Sequence, residues 1–180
     1  FLFIQADIGN KPGLKAELIV WNAMKEYFAA RDSFAFLHYP MFNQEFKGKR
    51  EIDILIVDKE IGLSVIEVKG LKIDQIESIQ GPVWNYRDFY EEQGSPYLQA
   101  EKQLDMLCNR LEKNPLLYRT FSKRVVLALP YITRSEWESI GFHRLLHAPP
   151  ILFKDDLSEA KCFNNLSNCY IYNSGDALND

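Results

Sequence analysis

Four residues in the first half of the chain can do hydrolytic chemistry as a set: Glu51, Asp53, Glu67 and Lys69. They fall in two runs, 51–57 and 62–69, where apolar residues alternate with the others, the period of a strand with one core face. Side chains two apart on a strand share a face, with Cα atoms roughly 6–7 Å apart. The alternation therefore sets Asp53 with Glu51, Leu55 and Val57, and sets Glu67 and Lys69 with Val65. The opposite faces, Ile52, Ile54 and Ile56 on one run and Ile66 and Val68 on the other, are expected to pack on a helix. If the runs pair through the turn Glu60-Ile61-Gly62, Asp53 and Glu67 converge at one end of a sheet. Two carboxylates that close repel each other and share a proton unless a divalent cation neutralises them. Hard oxygen ligands suit Mg²⁺ or Mn²⁺. Lys69, two residues beyond Glu67 on the same face, is placed to hold a water or a phosphate oxygen. Metal, carboxylates and ammonium together are what phosphodiester hydrolysis requires, an activated water and a clamp on a pentacovalent phosphate. The plainer reading is a Glu–Lys pair on a solvated strand face. The flanking strand pattern, with Asp53 fourteen residues before Glu67, favours a site.

The elements that must position these groups are legible around them. Leu14, Leu18, Trp21 and Phe28 recur at helical spacing after Pro12-Gly13 and predict a helix over 14–30. Residues 34–42 read as an aromatic, apolar strand, and Lys47-Gly48-Lys49-Arg50 as a basic turn. The stretch 70–94, with Trp84, Tyr86, Phe89 and Tyr90 but little periodicity, reads as a long, partly ordered connection, which inside a compact domain is usually functional. Ser95-Pro96 is a cap followed by a first-turn proline, opening a helix that carries Ala100, Leu104, Leu107 and Leu111 on one face. Strands are expected over 124–129 and 151–153, with a short helix over 135–140 between them. The order is that of a mixed α/β sheet with helices packed against it.

Composition narrows the function classes. The 180 residues carry 21 Lys plus Arg against 25 Asp plus Glu, a formal charge of −4, with 47% hydrophobic residues. This is a single globular domain with a real core, and its acidic balance argues against an indiscriminate nucleic-acid binder while leaving room for a small basic site. Cys108, Cys162 and Cys169 have no zinc-finger spacing and no even pairing, which fits a reducing, cytoplasmic setting. No apolar run approaches the roughly 18 residues of a membrane span, and no secretory leader pattern is seen. The Gly-rich phosphate loop of an ATPase is absent from the sequence.

Four further positions are candidates on their own physics. Glu17 lies beside the helical stripe of Leu14, Val20 and Trp21, where a carboxylate is costly unless paired or metal-bound; a partly exposed helix Glu is the equal alternative. Gln99 and Gln103 sit four apart on one helical face, and their amides suit a water or a phosphodiester near metals. Two surface glutamines are the plain alternative, favoured less for Gln99 than for Gln103. Lys47, Lys49 and Arg50 can position phosphates beside the site, or simply form a solvated turn. The aromatics of 70–94 can stack on splayed bases, although packing onto the body is the favoured reading. His143 and His147, four apart before Pro149-Pro150, read as structural.

Ile52-Asp53 followed fourteen residues on by Glu67-Val68-Lys69 resembles the active-site signature of the PD-(D/E)XK nuclease superfamily. More narrowly, Gly13-Leu14-Lys15-Ala16-Glu17, the two strand runs through Gly70, Trp84 and Ser95-Pro96-Tyr97-Leu98-Gln99 resemble, in order and spacing, the nuclease-related domain (NERD). No proline precedes Asp53, and Gln103 stands where exonuclease-like branches often carry a tyrosine. The resemblance implies a restriction-endonuclease-like core with a mixed central sheet flanked by helices. It implies a Mg²⁺-dependent deoxyribonuclease with metal held by Asp53 and Glu67, with the Val68 carbonyl and Glu17 as further ligands. Lys69 is then the catalytic lysine that orients the attacking water, and Gln99 supports the site. The domain is expected over 1–160, with 161–180 a polar connecting segment. Similarity to helicase-linked members, together with the Phe1 start, implies an N-terminal module of a nuclease–helicase fusion serving DNA repair, processing or defence. A catalytically silent DNA-binding or partner-recruiting module of the same fold is the rival.

Overall fold

The computed structural model describes residues 2–5, 11–41, 50–146 and 148–157. Its centre is a six-stranded mixed sheet in the order β1 (Leu2–Gln5), β2 (Ser33–Met41), β3 (Arg50–Asp58), β4 (Gly62–Val68), β8 (Lys123–Leu129) and β9 (Ile151–Phe153). β2, β3 and β4 form an antiparallel meander, while β1 joins β2, β8 joins β4 and β9 joins β8 in parallel. Parallel neighbours need crossovers: α1 (Leu14–Phe28) lies between β1 and β2, α2 (Pro96–Leu111) between β4 and β8, and α3 (Arg134–Ser139) between β8 and β9.

Strand alternation divides the core between two faces. Ala35, Leu37, Ile54, Ile56, Ile66, Val68, Val126 and Ala128 pack with Ala16, Val20, Trp21, Met24 and Phe28 of α1. Leu55, Leu63, Val65 and Val125 pack with Ala100, Leu104, Leu107 and Cys108 of α2. Of the expected stripes, Trp21 and Phe28 of α1 and Ala100, Leu104 and Leu107 of α2 are buried, whereas Leu14, Leu18 and Leu111 are only half-buried and Ala16, Val20 and Met24 complete the inner face of α1.

The tight turn joining β3 to β4 sets the register that brings Asp53 towards Glu67. Gly62 has φ +77°, and a Cβ there would lie 2.1 Å from the Ser122 carbonyl oxygen, so only glycine fits. Asp58, buried, accepts the Glu60 and Ile61 amide N–H groups at 2.9 and 3.0 Å and a two-pronged guanidinium contact from Arg31 at 2.9 Å.

Four differences from the sequence reading stand out. The stretch 70–94 is ordered secondary structure: β5 (Ile76–Gln80), β6 (Val83–Tyr86) and β7 (Gln93–Gly94) make a second, antiparallel sheet. Trp84 and Tyr86 pack there with Leu71, Leu127, Leu129, Trp137 and Phe153. Its strands are so short that alternation hardly repeats, which is why periodicity missed them. Ser95 does precede α2, but its side chain makes no capping hydrogen bond. β1, four residues at the sheet edge, was not anticipated. Lys47, Lys49, His147 and the segment 161–180 lie outside the described residues, and Arg50 is the first residue of β3 rather than part of a turn.

Candidate active site

The paired part of β3 and β4 runs from Asp58↔Gly62 to Ile54↔Ile66. One step further would set Asp53 opposite Glu67, and there a side chain replaces the ladder: the Val68 N–H donates to Asp53 Oδ2 at 2.8 Å. On the other side of Asp53, β2 pairs on through Leu37↔Ile54 and Tyr39↔Ile52, with His38 between them at φ +56°. This irregularity changes which face the strands present. Ile52 falls with α2 although Ile54 and Ile56 fall with α1, and Tyr39 and Met41 fall with α2 although Ala35 and Leu37 fall with α1. Simple alternation, which groups Ile52 with Ile54 and Ile56, therefore fails across Asp53. The physical cause is the left-handed backbone of His38 within an otherwise extended strand, with the register unchanged on either side.

His38 is buried, and its Nε2 meets Glu17 Oε2 of α1 at 2.5 Å. This contact answers the cost of a carboxylate beside the apolar stripe of α1: Glu17 is paired. It also ties the first helix to the strand that carries Asp53. The approach of α1 depends on Gly70, where a Cβ would come within 2.8 Å of the Ala16 Cβ.

Glu67 is 2% exposed at the end of β4. Its Oε1 accepts from Gln99 Nε2 at 2.9 Å and lies 3.7 Å from Lys69 Nζ, while its Oε2 is buried with no hydrogen-bond partner among the described residues. Lys69, also buried, reaches Glu91 Oε2 at 3.3 Å. Asp53, Glu67, Lys69 and Gln99 are therefore brought together, with Glu17 alongside through His38. Gln103 lies one turn further along α2, buried, and donates to the Glu51 carbonyl at 3.0 Å; its amide braces β3 against the helix. Glu51 itself pairs with Lys11 ahead of α1.

The electrostatics follow from burial. Loss of water pushes the Asp53 carboxyl up to about 7, with the Glu17 charge adding to it and the Val68 N–H, Lys69 and His38 pulling the other way. Burial and then the Asp53 charge hold Glu67 well above the usual carboxylate range, against the pull of Lys69. Burial alone would lower Lys69, but Glu67, Tyr90 and Glu91 together outweigh it and keep the ammonium. The ensemble is acidic apart from one lysine and one histidine, so a phosphodiester meets repulsion here unless a cation stands between.

Sequence reasoning did not single out His38 or Glu91. His38 is embedded in an aromatic strand and Glu91 in the stretch read as a connection, and neither carries a local pattern. His143 is exposed in the short turn Phe142–Arg144. Among the described residues, no three His, Cys, Asp or Glu side chains are arranged as a ready-made metal cluster, and no helix is long and apolar enough to cross a membrane.

A family model described as the nuclease-related domain matches residues 12–128. That span holds Glu17, Asp53, Glu67, Lys69 and Gln99 together with α1, α2 and the β3–β4 pair. No curated protein and no solved structure matches the chain.

Proposed function

This chain belongs to the nuclease-related domain family, and on that premise we propose that it is a Mg²⁺- or Mn²⁺-dependent nuclease that hydrolyses DNA phosphodiester bonds. The observation that carries the reading is Glu67: a fully buried carboxylate beside Asp53, with one oxygen held by Gln99 and the other without a partner among the described residues. A native fold rarely leaves such an atom orphaned unless something else satisfies it. A divalent cation fits the donor set. Asp53 and Glu67 would hold it, with the Val68 carbonyl as a further oxygen. Glu17, already engaged by His38, would act through a water or from the flank. Mg²⁺ ordinarily takes only one or two carboxylates and keeps several waters and phosphate oxygens, so two protein carboxylates suffice. When bound, the ion would neutralise the carboxylates and lower the pKa of a coordinated water.

The chain's own residues supply the remainder of the chemistry. Lys69 keeps its proton because Glu67, Tyr90 and Glu91 surround it, so it is a fixed positive charge at the edge of the carboxylates. There it orients the attacking water and stabilises the charge that grows on the phosphate oxygens. Gln99, donating to Glu67 Oε1, leaves the orphan Oε2 as the free lone-pair face and fixes its direction. The Val68 N–H does the same for Asp53. Lys47, Lys49 and Arg50 are proposed as phosphate contacts flanking β3. A helicase module in the same longer protein and a role in DNA repair, processing or defence rest on the family resemblance, and a cytoplasmic setting rests on the odd number and spacing of the cysteines.

The test is incubation of labelled single-stranded, duplex and flapped DNA with the protein in Mg²⁺, Mn²⁺ or EDTA, beside Lys69→Ala. Metal-dependent cleavage that the variant loses is the expected result. Cleavage that persists in EDTA or in Lys69→Ala overturns the assignment, and DNA binding without cleavage by the wild type would favour the silent module.

A further inference from the structure

The aromatics of the segment 84–90 divide by exposure. Trp84 and Tyr86 are buried in the third core cluster and Phe89 is half-buried against it, whereas Tyr90 is 56% exposed. Its ring rests on Phe89 at 4.1 Å between centroids, tilted 41°, and Phe89 rests in turn on Tyr86 at 5.3 Å. One face of Tyr90 is thus held by an aromatic column rooted in the core, and much of the ring is left to solvent.

The segment that carries it is tied at both ends. The Tyr86 N–H donates to the Glu92 carbonyl at 2.9 Å, the Arg87 N–H to the Gln75 carbonyl at 2.8 Å, and Gln75 Nε2 to the Asp88 carbonyl at 2.8 Å. Asp88 takes φ +51° to turn the chain between them. The next residue after Tyr90 is Glu91, whose carboxylate meets Lys69 Nζ at 3.3 Å. The exposed ring therefore stands one residue from a direct contact with the lysine of the candidate site. A single exposed aromatic is common on a protein surface, and Tyr118 is as exposed as Tyr90; what sets Tyr90 apart is its aromatic support and its place beside the Glu91–Lys69 contact. Beside a group built to hold phosphate, the partner whose chemistry fits a flat, half-supported ring is a nucleobase.

Taking the nuclease reading as its premise, we propose that Tyr90 is a stacking platform for an unpaired base next to the phosphate at Lys69, so that the substrate strand is engaged single-stranded. In a blunt duplex each base is already stacked between its neighbours and its face is not available to the tyrosine. Discrimination between strands therefore comes from this ring and not from the carboxylates or the lysine, which see only phosphate. Phe89 and Tyr86 act as positioning residues that fix the plane of the ring.

The test measures binding in Ca²⁺, which can stand between the carboxylates and the phosphate, over a time in which no cleavage product forms, with a fluorescent single-stranded oligonucleotide and a blunt duplex of the same sequence. Tyr90→Ala is expected to weaken single-strand binding by about 5- to 150-fold, the range to which ~1–3 kcal/mol per stacked base converts, and to change duplex binding less than about 2-fold. Tyr90→Phe, which keeps the ring, is expected to bind as the wild type does. An oligonucleotide carrying 2-aminopurine should be quenched by the wild type and by Tyr90→Phe but not by Tyr90→Ala. Equal losses on single strand and duplex, no loss on either, or a wild type that binds no single strand would each overturn the platform. Tyr90-dependent binding without metal-dependent cleavage would leave the platform standing and remove the nuclease reading, so the two fail separately.

Discussion

Asp53→Asn is expected to stabilise the metal-free protein while removing its response to metal. In the folded chain, burial first and the Glu17 charge next raise the Asp53 carboxyl from 3.8 to about 7. For an acid whose folded pKa is raised, the folded state binds the proton more tightly than the unfolded one. The penalty is absent below about pH 4, grows between about 4 and 7, and is complete above 7. At ~1.4 kcal/mol for each pKa unit, it amounts to roughly 4 kcal/mol at pH 8. The amide keeps the oxygen that accepts the Val68 N–H, but it gives up the attraction of Lys69 and His38, so a net gain of about 1–3 kcal/mol remains. For a chain of this size that is a rise in Tm of roughly 2–10 °C. The assay is thermal unfolding in EDTA at pH 4.5 and pH 8, repeated at pH 8 with a saturating concentration of Mg²⁺ or Mn²⁺. The variant should melt above the wild type at pH 8 and level with it at pH 4.5. Metal should raise the wild type alone, by about 3 kcal/mol at a hundredfold excess over Kd. A variant that is destabilised at pH 8, and more so there than at pH 4.5, would refute the reasoning, because it would mean that the charge of Asp53 contributes to the fold instead of opposing it.

Other substitutions probe the supports of the site. Asp58 is held below its ordinary range by Arg31 and by the Ile61 and Glu60 N–H groups, which together outweigh its burial. Its contribution is therefore present above about pH 4 and lost as pH falls through the lowered folded value. Asp58→Asn should flatten the acid limb of a Tm-versus-pH curve and cost about 2–4 kcal/mol at pH 7; a curve unchanged in acid would contradict that account. Gly70→Ala should force α1 away by bringing a Cβ against Ala16. It should cost about 1–3 kcal/mol and lower cleavage through displaced Glu17, with both recovered in the double variant Ala16→Gly/Gly70→Ala. Failure of that rescue would place the strain elsewhere. Gln99→Ala should lower stability by about 1–3 kcal/mol, because it takes the amide donor from a buried carboxylate oxygen. It should reduce cleavage by roughly 10- to 100-fold, the scale of a lost hydrogen bond to a charged group, and steady-state rates that match the wild type would remove Gln99 from the machinery.

The sequence by itself determined the parts whose physics is local. Period-two alternation of isoleucines located β3, the apolar run that follows Gly62 located β4, and a 3.6-residue stripe located α1 and α2. The proximity of Asp53, Glu67 and Lys69 followed from two strands joined by a short turn, since register across such a turn is set by counting residues. Tertiary structure decided what counting cannot reach. His38 departs from the extended backbone, swaps the face of β2 and β3 across Asp53, and pairs with Glu17 from a different element. No spacing in the chain signals a contact between residues 21 apart on a helix and a strand. The aromatic stretch after Gly70 was visible, but which of its rings is buried depends on Trp137, Phe153 and Leu127, which arrive from β8, α3 and β9. Only that packing leaves Tyr90 outside while Trp84 and Tyr86 go in. The orphan oxygen of Glu67 has the same origin: its partners, Gln99 from α2 and Lys69 beyond β4, crowd one oxygen and leave the other bare. Alternation and periodicity are properties of one element and its own solvent boundary, whereas the balance of charge, burial and unpaired atoms in the site is a property of four elements meeting.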